Sequence, residues 1–252
     1  MAPGSSEANQ VTAALPTIER QLAADHESLQ EEGIKQLKEL ALHCRVLPAV
    51  LPLLPRLVQL LKSGNSSVRG AAAGTLAAVA LSAEGRAVLE RQEGLLVNLV
   101  ACVTEGWASP AAESAACSLM NIAASSSGKT AIRNAEGIKA LMALVEDCVP
   151  PLEKELAQAR RTSIMSTTQD GPRSSRSSSS SNPKAAACTS ALGALMNLLG
   201  DSQHITTMQQ AGLAAVMEKL QAMAAVDEAM AHRATFITSR LSATPRDSIL
   251  VL

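Results

Sequence analysis

Along most of the chain, leucine, valine and alanine recur three and four residues apart with polar residues between them. This spacing gives a helix one buried face. One such block is Leu54-Pro55-Arg56-Leu57-Val58-Gln59-Leu60-Leu61, which returns as Leu96-Val97-Asn98-Leu99-Val100-Ala101-Cys102-Val103 and as Ile138-Lys139-Ala140-Leu141-Met142-Ala143-Leu144-Val145. Leu57, Leu99 and Leu141 stand 42 residues apart. A weaker copy, Leu213 to Leu220, places its anchor Val216 75 residues after Leu141, 33 beyond one period.

A second block repeats independently. Ala72-Ala73-Gly74-Thr75-Leu76-Ala77-Ala78-Val79-Ala80 returns as Ala115-Ala116-Cys117-Ser118-Leu119-Met120-Asn121-Ile122-Ala123 and as Ala191-Leu192-Gly193-Ala194-Leu195-Met196-Asn197-Leu198-Leu199. Leu119 follows Leu76 by 43 residues and Leu195 follows Leu119 by 76, the same surplus of 33. Two helices reporting one surplus locate a single insertion after Val145 and before Ala191. A short first helix completes each unit and ends at a Gly-apolar junction, Gly94-Leu95, Gly137-Ile138 or Gly212-Leu213. Glycine there permits a left-handed turn between helices. Polar loops, Ser63-Gly64-Asn65-Ser66 and Glu105-Gly106-Trp107-Ala108-Ser109-Pro110, separate the second helix from the third, and Pro110 suits the first turn of the helix it opens.

A unit of about 40–47 residues built this way resembles the armadillo repeat. Leu54 to Leu61 and Ala135 to Val145 look like the second helix of that family, and Leu119 to Ala123 like its third. The charged stretch Glu27 to Leu42 looks like a solitary third helix capping the N-terminal end. HEAT repeats are the competing solenoid, and the Gly-apolar junctions argue against them. The resemblance covers the chain from Leu53 to Leu241 and implies an all-α fold, a right-handed α-solenoid of about four armadillo-type three-helix repeats. The expected organisation is a disordered tail over 1–16, a solenoid over 17–242 with a disordered Ser/Arg-rich insertion at 150–184, and a flexible tail over 243–252.

The family binds other proteins along a concave surface lined by third helices, where an Asn typically hydrogen-bonds the backbone of an extended peptide. Asn121 and Asn197 match that position, and Ala78 breaks the series in the earlier unit. The resemblance therefore implies a non-catalytic scaffold or adaptor with a peptide-binding groove at Asn121 and Asn197. Nuclear-import adaptors of the family are the alternative. They carry a Trp four residues before the Asn; Gly74, Cys117 and Gly193 stand there, and no basic autoinhibitory segment opens the chain. Small groove residues suit a partner helix or a peptide with apolar anchors.

Composition narrows the picture. Hydrophobic residues make up 47% of the chain but aromatics only 1%, with one Trp, one Phe and no Tyr. A core left to Ala, Leu, Val and Met favours closely packed helices over sheet. The net charge of −1 points to neither nucleic acid nor anionic lipid. The start Met1-Ala2-Pro3-Gly4 resembles no signal peptide, and Val46 to Pro55 is too short and too proline-rich to span a bilayer. A soluble protein of the cytoplasm or nucleus is expected, its five scattered cysteines reduced.

Little chemistry is written in the sequence. Ser125-Ser126-Ser127-Gly128-Lys129-Thr130 invites comparison with a P-loop, but Ala123 stands where the first glycine belongs. His26, His43, His204 and His232 are isolated, so no metal, cofactor or catalytic residue is assigned. An enzyme would need a closed pocket with converging titratable groups. Within the insertion, Arg160-Arg161-Thr162-Ser163-Ile164 resembles a site for a basic-directed protein kinase, making Ser163 the phosphorylation candidate. The end Ser248-Ile249-Leu250-Val251-Leu252 has apolar residues at the last and third-last positions, as PDZ-type grooves favour.

Overall fold

The computed structural model describes residues 4–42, 47–166 and 182–243. Its helices are α1 (Gly4–Ala23), α2 (Glu27–Ala41), α3 (Leu47–Val50), α4 (Leu54–Leu60), α5 (Ser66–Val79), α6 (Ala83–Leu89), α7 (Leu95–Val103), α8 (Pro110–Ile122), α9 (Ser126–Asn134), α10 (Gly137–Ser166), α11 (Pro183–Leu198), α12 (Ser202–Gln210), α13 (Leu213–Gln221) and α14 (Glu228–Ser242). A short 3-10 turn, Leu51–Leu53, joins α3 to α4, and no strand occurs among the described residues. No described helix is long and apolar enough to cross a membrane.

Capping chemistry sets where the helices start. Asn65, Ser109, Asn182 and Asp227 each accept a backbone N–H at the start of α5, α8, α11 and α14, satisfying a donor the helix leaves orphaned. Pro110 and Pro183 occupy first turns, where the missing N–H costs nothing. Gly94 and Gly212 take positive φ, 73° and 77°, as expected of the junctions. The third junction differs: the left-handed residue is Glu136, at φ 60°, and Gly137 already belongs to α10. Gly137 serves packing instead, since a Cβ there would lie 2.6 Å from Ile132 Cγ2.

The third helices stack in order, α2 on α5, α5 on α8, α8 on α11 and α11 on α14. The anchors Leu57, Leu99, Leu141, Leu76, Leu119 and Leu195 are all fully buried. In the last unit the frame shifts by one residue. Val216 is only partly buried, and Leu213, Met217 and Leu220 face the core. Met217 lies 76 residues after Leu141, the spacing also seen between Leu119 and Leu195. Over the 42-residue period of the second helices the surplus is then 34, one more than the 33 of the third helices.

First helices dock by close approach. Ser82 and Ser125 cap α6 and α9 by accepting from the N–H of Gly85 and Gly128. A Cβ on Gly85 would sit 2.0 Å from Val79 O, and on Gly128 2.2 Å from Ile122 O. His204 takes the matching place in the last unit. It is fully buried, and its Nδ1 meets Leu198 O at 3.0 Å. A hydrogen bond there replaces contact between backbones.

Two expected boundaries move. Helix begins at Gly4, so the tail expected to be disordered over 1–16 is largely helical; Ile18 and Leu22 are buried, Leu15 packs beside them, and Arg56 Nε donates to Leu22 O at 2.9 Å. The cap is thus a pair of helices. The insertion expected to be disordered from 150 is helical to Ser166, because α10 runs for 30 residues where α7 has 9. Leu144, Cys148 and Leu152 keep one buried face across Pro150 and Pro151, so packing on α11 outweighs the two amide donors lost. Residues 167–181 and 244–252, with the remainder of the insertion and the PDZ-like end, lie outside the described residues.

Candidate functional site: a groove along the third helices

Small side chains let the third helices approach closely, and polar side chains tie each to the one before. Thr75 Oγ1 donates to Ile34 O at 3.4 Å, and Ser118 Oγ to Ala73 O at 2.6 Å. Asn121 Nδ2 donates to Ala77 O and Asn197 Nδ2 to Met120 O, both at 2.9 Å. The two Asn bonds share one register, since each acceptor precedes the position matching the Asn in the preceding unit. Asn98, buried on α7, makes the corresponding bond between second helices, its Nδ2 donating to Val58 O at 3.2 Å. Cys102 Sγ reaches Leu61 O at 3.7 Å, and burial pushes that thiol up to about 11.

The matched Asn residues therefore already hold the solenoid together with one amide hydrogen each. Asn121 is half-buried and lines a groove of about 280 Å³, where its second N–H and its Oδ1 meet whatever enters. Four consecutive third helices contribute: Lys38 from α2, Gly74 and Ala77 from α5, Glu113 and Cys117 from α8, and Ser190 from α11. Leu42 and Leu81 form one lip, 54% and 60% exposed. Positions matching Leu81 in later units are Ala124 and Gly200, so the apolar lip fades toward the C-terminal end. Asn197 lies one unit further along and does not line this groove.

Charge gathers around Cys117. Burial pushes the Glu113 carboxyl above its usual range, and the nearby Lys38 ammonium only partly opposes this. Burial also raises the Cys117 thiol, assisted by Glu113 and opposed by Lys38 and Arg233. Lys38 and Glu113 do not reach ion-pair distance. By contrast, Arg69 and Glu105 on the loop edge are fully engaged, with Arg69 Nε and Nη2 donating to the carboxylate at 2.7 and 2.6 Å and Ser109 Oγ at 2.6 Å. Burial pushes Glu105 upward, but the bonds from Arg69 and Ser109 outweigh it and hold the carboxyl below its usual range.

Of the residues lining this groove, the sequence singles out Asn121 but not Lys38, Leu42, Leu81 or Glu113, nor the nearby Arg233. Lys38 and Leu42 are four apart on the capping helix, a spacing that signals a shared face; nothing local singles out Glu113 or Arg233. Ser163 falls within α10, with its side chain outside the described residues. The P-loop-like stretch opens α9 as an ordinary cap, Ser125 Oγ accepting from Gly128 N at 3.0 Å. Among the described residues no group of three His, Cys, Asp or Glu side chains could hold a metal ion.

No family model and no curated protein matches the sequence. Solved structures do match the fold. A designed armadillo repeat protein superposes with a TM-score of 0.67 at 18% identity, covering 95% of this chain and 87% of its own. Another designed armadillo repeat protein, in complex with the peptide (KR)4, gives 0.68 at 18% identity with the same coverage. A computationally designed set for modular peptide recognition gives 0.52 at 20% identity, covering 90% of this chain and 99% of the match. The chain has an armadillo-like fold, an α-solenoid of about four three-helix repeats.

Proposed function

We propose that this protein is a non-catalytic scaffold that holds an extended segment of another protein along its third helices. The observation carrying this reading is the open groove to which four consecutive third helices contribute, with the half-used amide of Asn121 on its wall. An amide with one N–H and a carbonyl oxygen to spare can pair with one peptide unit of an extended strand, at about 0.5–1.5 kcal/mol per bond. The armadillo-like fold supports the same reading, because a matching designed protein is in complex with a peptide. Repeats that touch only their neighbours produce extended binding surfaces of this kind.

Two finer points belong to the proposal. Ser163, behind Arg160 and Arg161 and before Ile164, is a protein kinase site whose phosphate, at about −1.5 to −2 charge, modulates partner access. A cytoplasmic or nuclear setting fits thiols at Cys102, Cys117, Cys148 and Cys188 that are free. Capture of partners from cell extract by the intact chain and by the doubly substituted Asn121→Ala, Asn197→Ala chain tests the central reading. Loss of specific partners from a variant that still folds supports the groove. Retention of the same partners by that variant would rule it out. Unchanged partner affinity in Ser163→Glu would remove the switch.

A further inference from the structure

Resting on the groove reading above, we infer that the partner segment carries an acidic side chain next to an apolar one, and that the groove turns away polybasic segments. Gly74 and Gly193 occupy matching positions on α5 and α11, each four residues before the Asn position, and a cationic side chain of the protein lies over both. Lys38 Nζ is 3.4 Å from where a Gly74 Cβ would stand, and Arg233 Nη1 is 2.6 Å from the corresponding point on Gly193. Arg233 also donates to Thr189 O, which fixes its guanidinium over that floor. The ground a ligand cation would need is therefore covered at both places.

Near Cys117, with the two cations, lies one anion, Glu113, which pairs with neither Lys38 nor Arg233 at ion-pair distance and is itself half-buried. A polybasic strand would bring several positive charges to two resident cations and a single carboxylate. A ligand carboxylate directed at the exposed ammonium of Lys38 gains attraction instead. Beside that point, Leu42 and Leu81 leave an apolar lip exposed, so the neighbouring ligand residue is apolar. Such charge complementarity acts mainly on partner choice and association rate.

The experiment titrates the full chain into three labelled octapeptides, (KR)4, (KL)4 and (DL)4, and follows fluorescence anisotropy at low and high salt. Binding of (DL)4 at least 10-fold tighter than of (KL)4 or (KR)4, lost in Lys38→Glu, is expected. Lys38 is exposed, so Lys38→Glu should keep the native unfolding curve, and Glu113→Gln should strengthen (DL)4 binding several-fold. Tighter binding of (KR)4 would overturn the inference while leaving the groove as a peptide site. Unaltered (DL)4 affinity in a folded Lys38→Glu chain would also overturn it. Failure of all three peptides to bind would take the inference and the groove reading down together.

Discussion

Gly74 and Gly193 hold the same place in two units and each has a cation over it, yet Gly74 lines a groove with that cation at contact distance while Gly193 is tightly packed beneath side chains. At Gly74 the nearest atoms to a Cβ would be Lys38 Nζ at 3.4 Å and Ser114 Oγ at 3.7 Å, ordinary contact distances. At Gly193 they are Met120 Sδ at 2.4 Å and Arg233 Nη1 at 2.6 Å, both inside the space a Cβ needs. One repeat motif thus supplies a groove floor or a packing contact depending on the residues that adjoining units bring to it. The lip tells the same story, with Leu42 and Leu81 exposed at one end and Ala124 and Gly200 at the matching places further on.

Bulk separates the two glycines most sharply. Gly193→Leu should destabilise the fold by about 1–3 kcal/mol through overpacking against Met120 and Arg233, read from denaturant unfolding. Gly74→Leu should leave stability within about 0.5 kcal/mol while abolishing partner binding, because its side chain fills the groove. Equal stability losses at the two sites would erase the distinction.

The Asn pair comes next. Asn121→Ala and Asn197→Ala should each cost about 1 kcal/mol, since each removes one side-chain bond to a carbonyl of the preceding helix. Only Asn121→Ala should also weaken partner binding in isothermal titration. A smaller effect follows from helix propensity: Gly74→Ala should stabilise by about 0.5–1 kcal/mol, and Gly193→Ala should not.

The smallest effect is in pH dependence, where groove and edge carboxylates act with opposite sign. Glu105 titrates below its ordinary value of about 4.5 when folded. Its contribution is present above that value and is lost as pH falls through the lowered one. Glu113 is raised, so its contribution is complete below about 4.5 and is lost as pH rises through the raised value. Urea unfolding between acid and neutral pH should therefore show Glu105→Gln flattening the acid-side decline and Glu113→Gln increasing stability at neutral pH. Matching slopes for the two variants would contradict the contrast.

Much of the architecture was legible because a solenoid repeats its nearest-neighbour contacts. Leu57, Leu99 and Leu141 mark one helix face, and Leu76, Leu119 and Leu195 another, and all six are fully buried. Legibility failed where a local rule was overridden. Val216 seemed the anchor of the last unit, but Met217 packs, and Gly137 seemed the left-handed junction that Glu136 provides. Disorder is expected from 150, although Cys148 and Leu152 continue the buried stripe of α10 across Pro150 and Pro151.

The sequence by itself determined the unit, its three helices and most of the faces they bury, because apolar spacing within a helix and capping residues at its start act over a few residues. Tertiary structure alone decided which charges gather in and beside the groove. Lys38, Glu113 and Arg233 lie on three different third helices and meet around Cys117 only after stacking, so no spacing in the chain announces them. It also decided that Asn121 and Asn197 tie adjacent units together. The carbonyl each Asn reaches belongs to the preceding unit, and stacking distance and register, which no single repeat encodes, bring the two within bonding range.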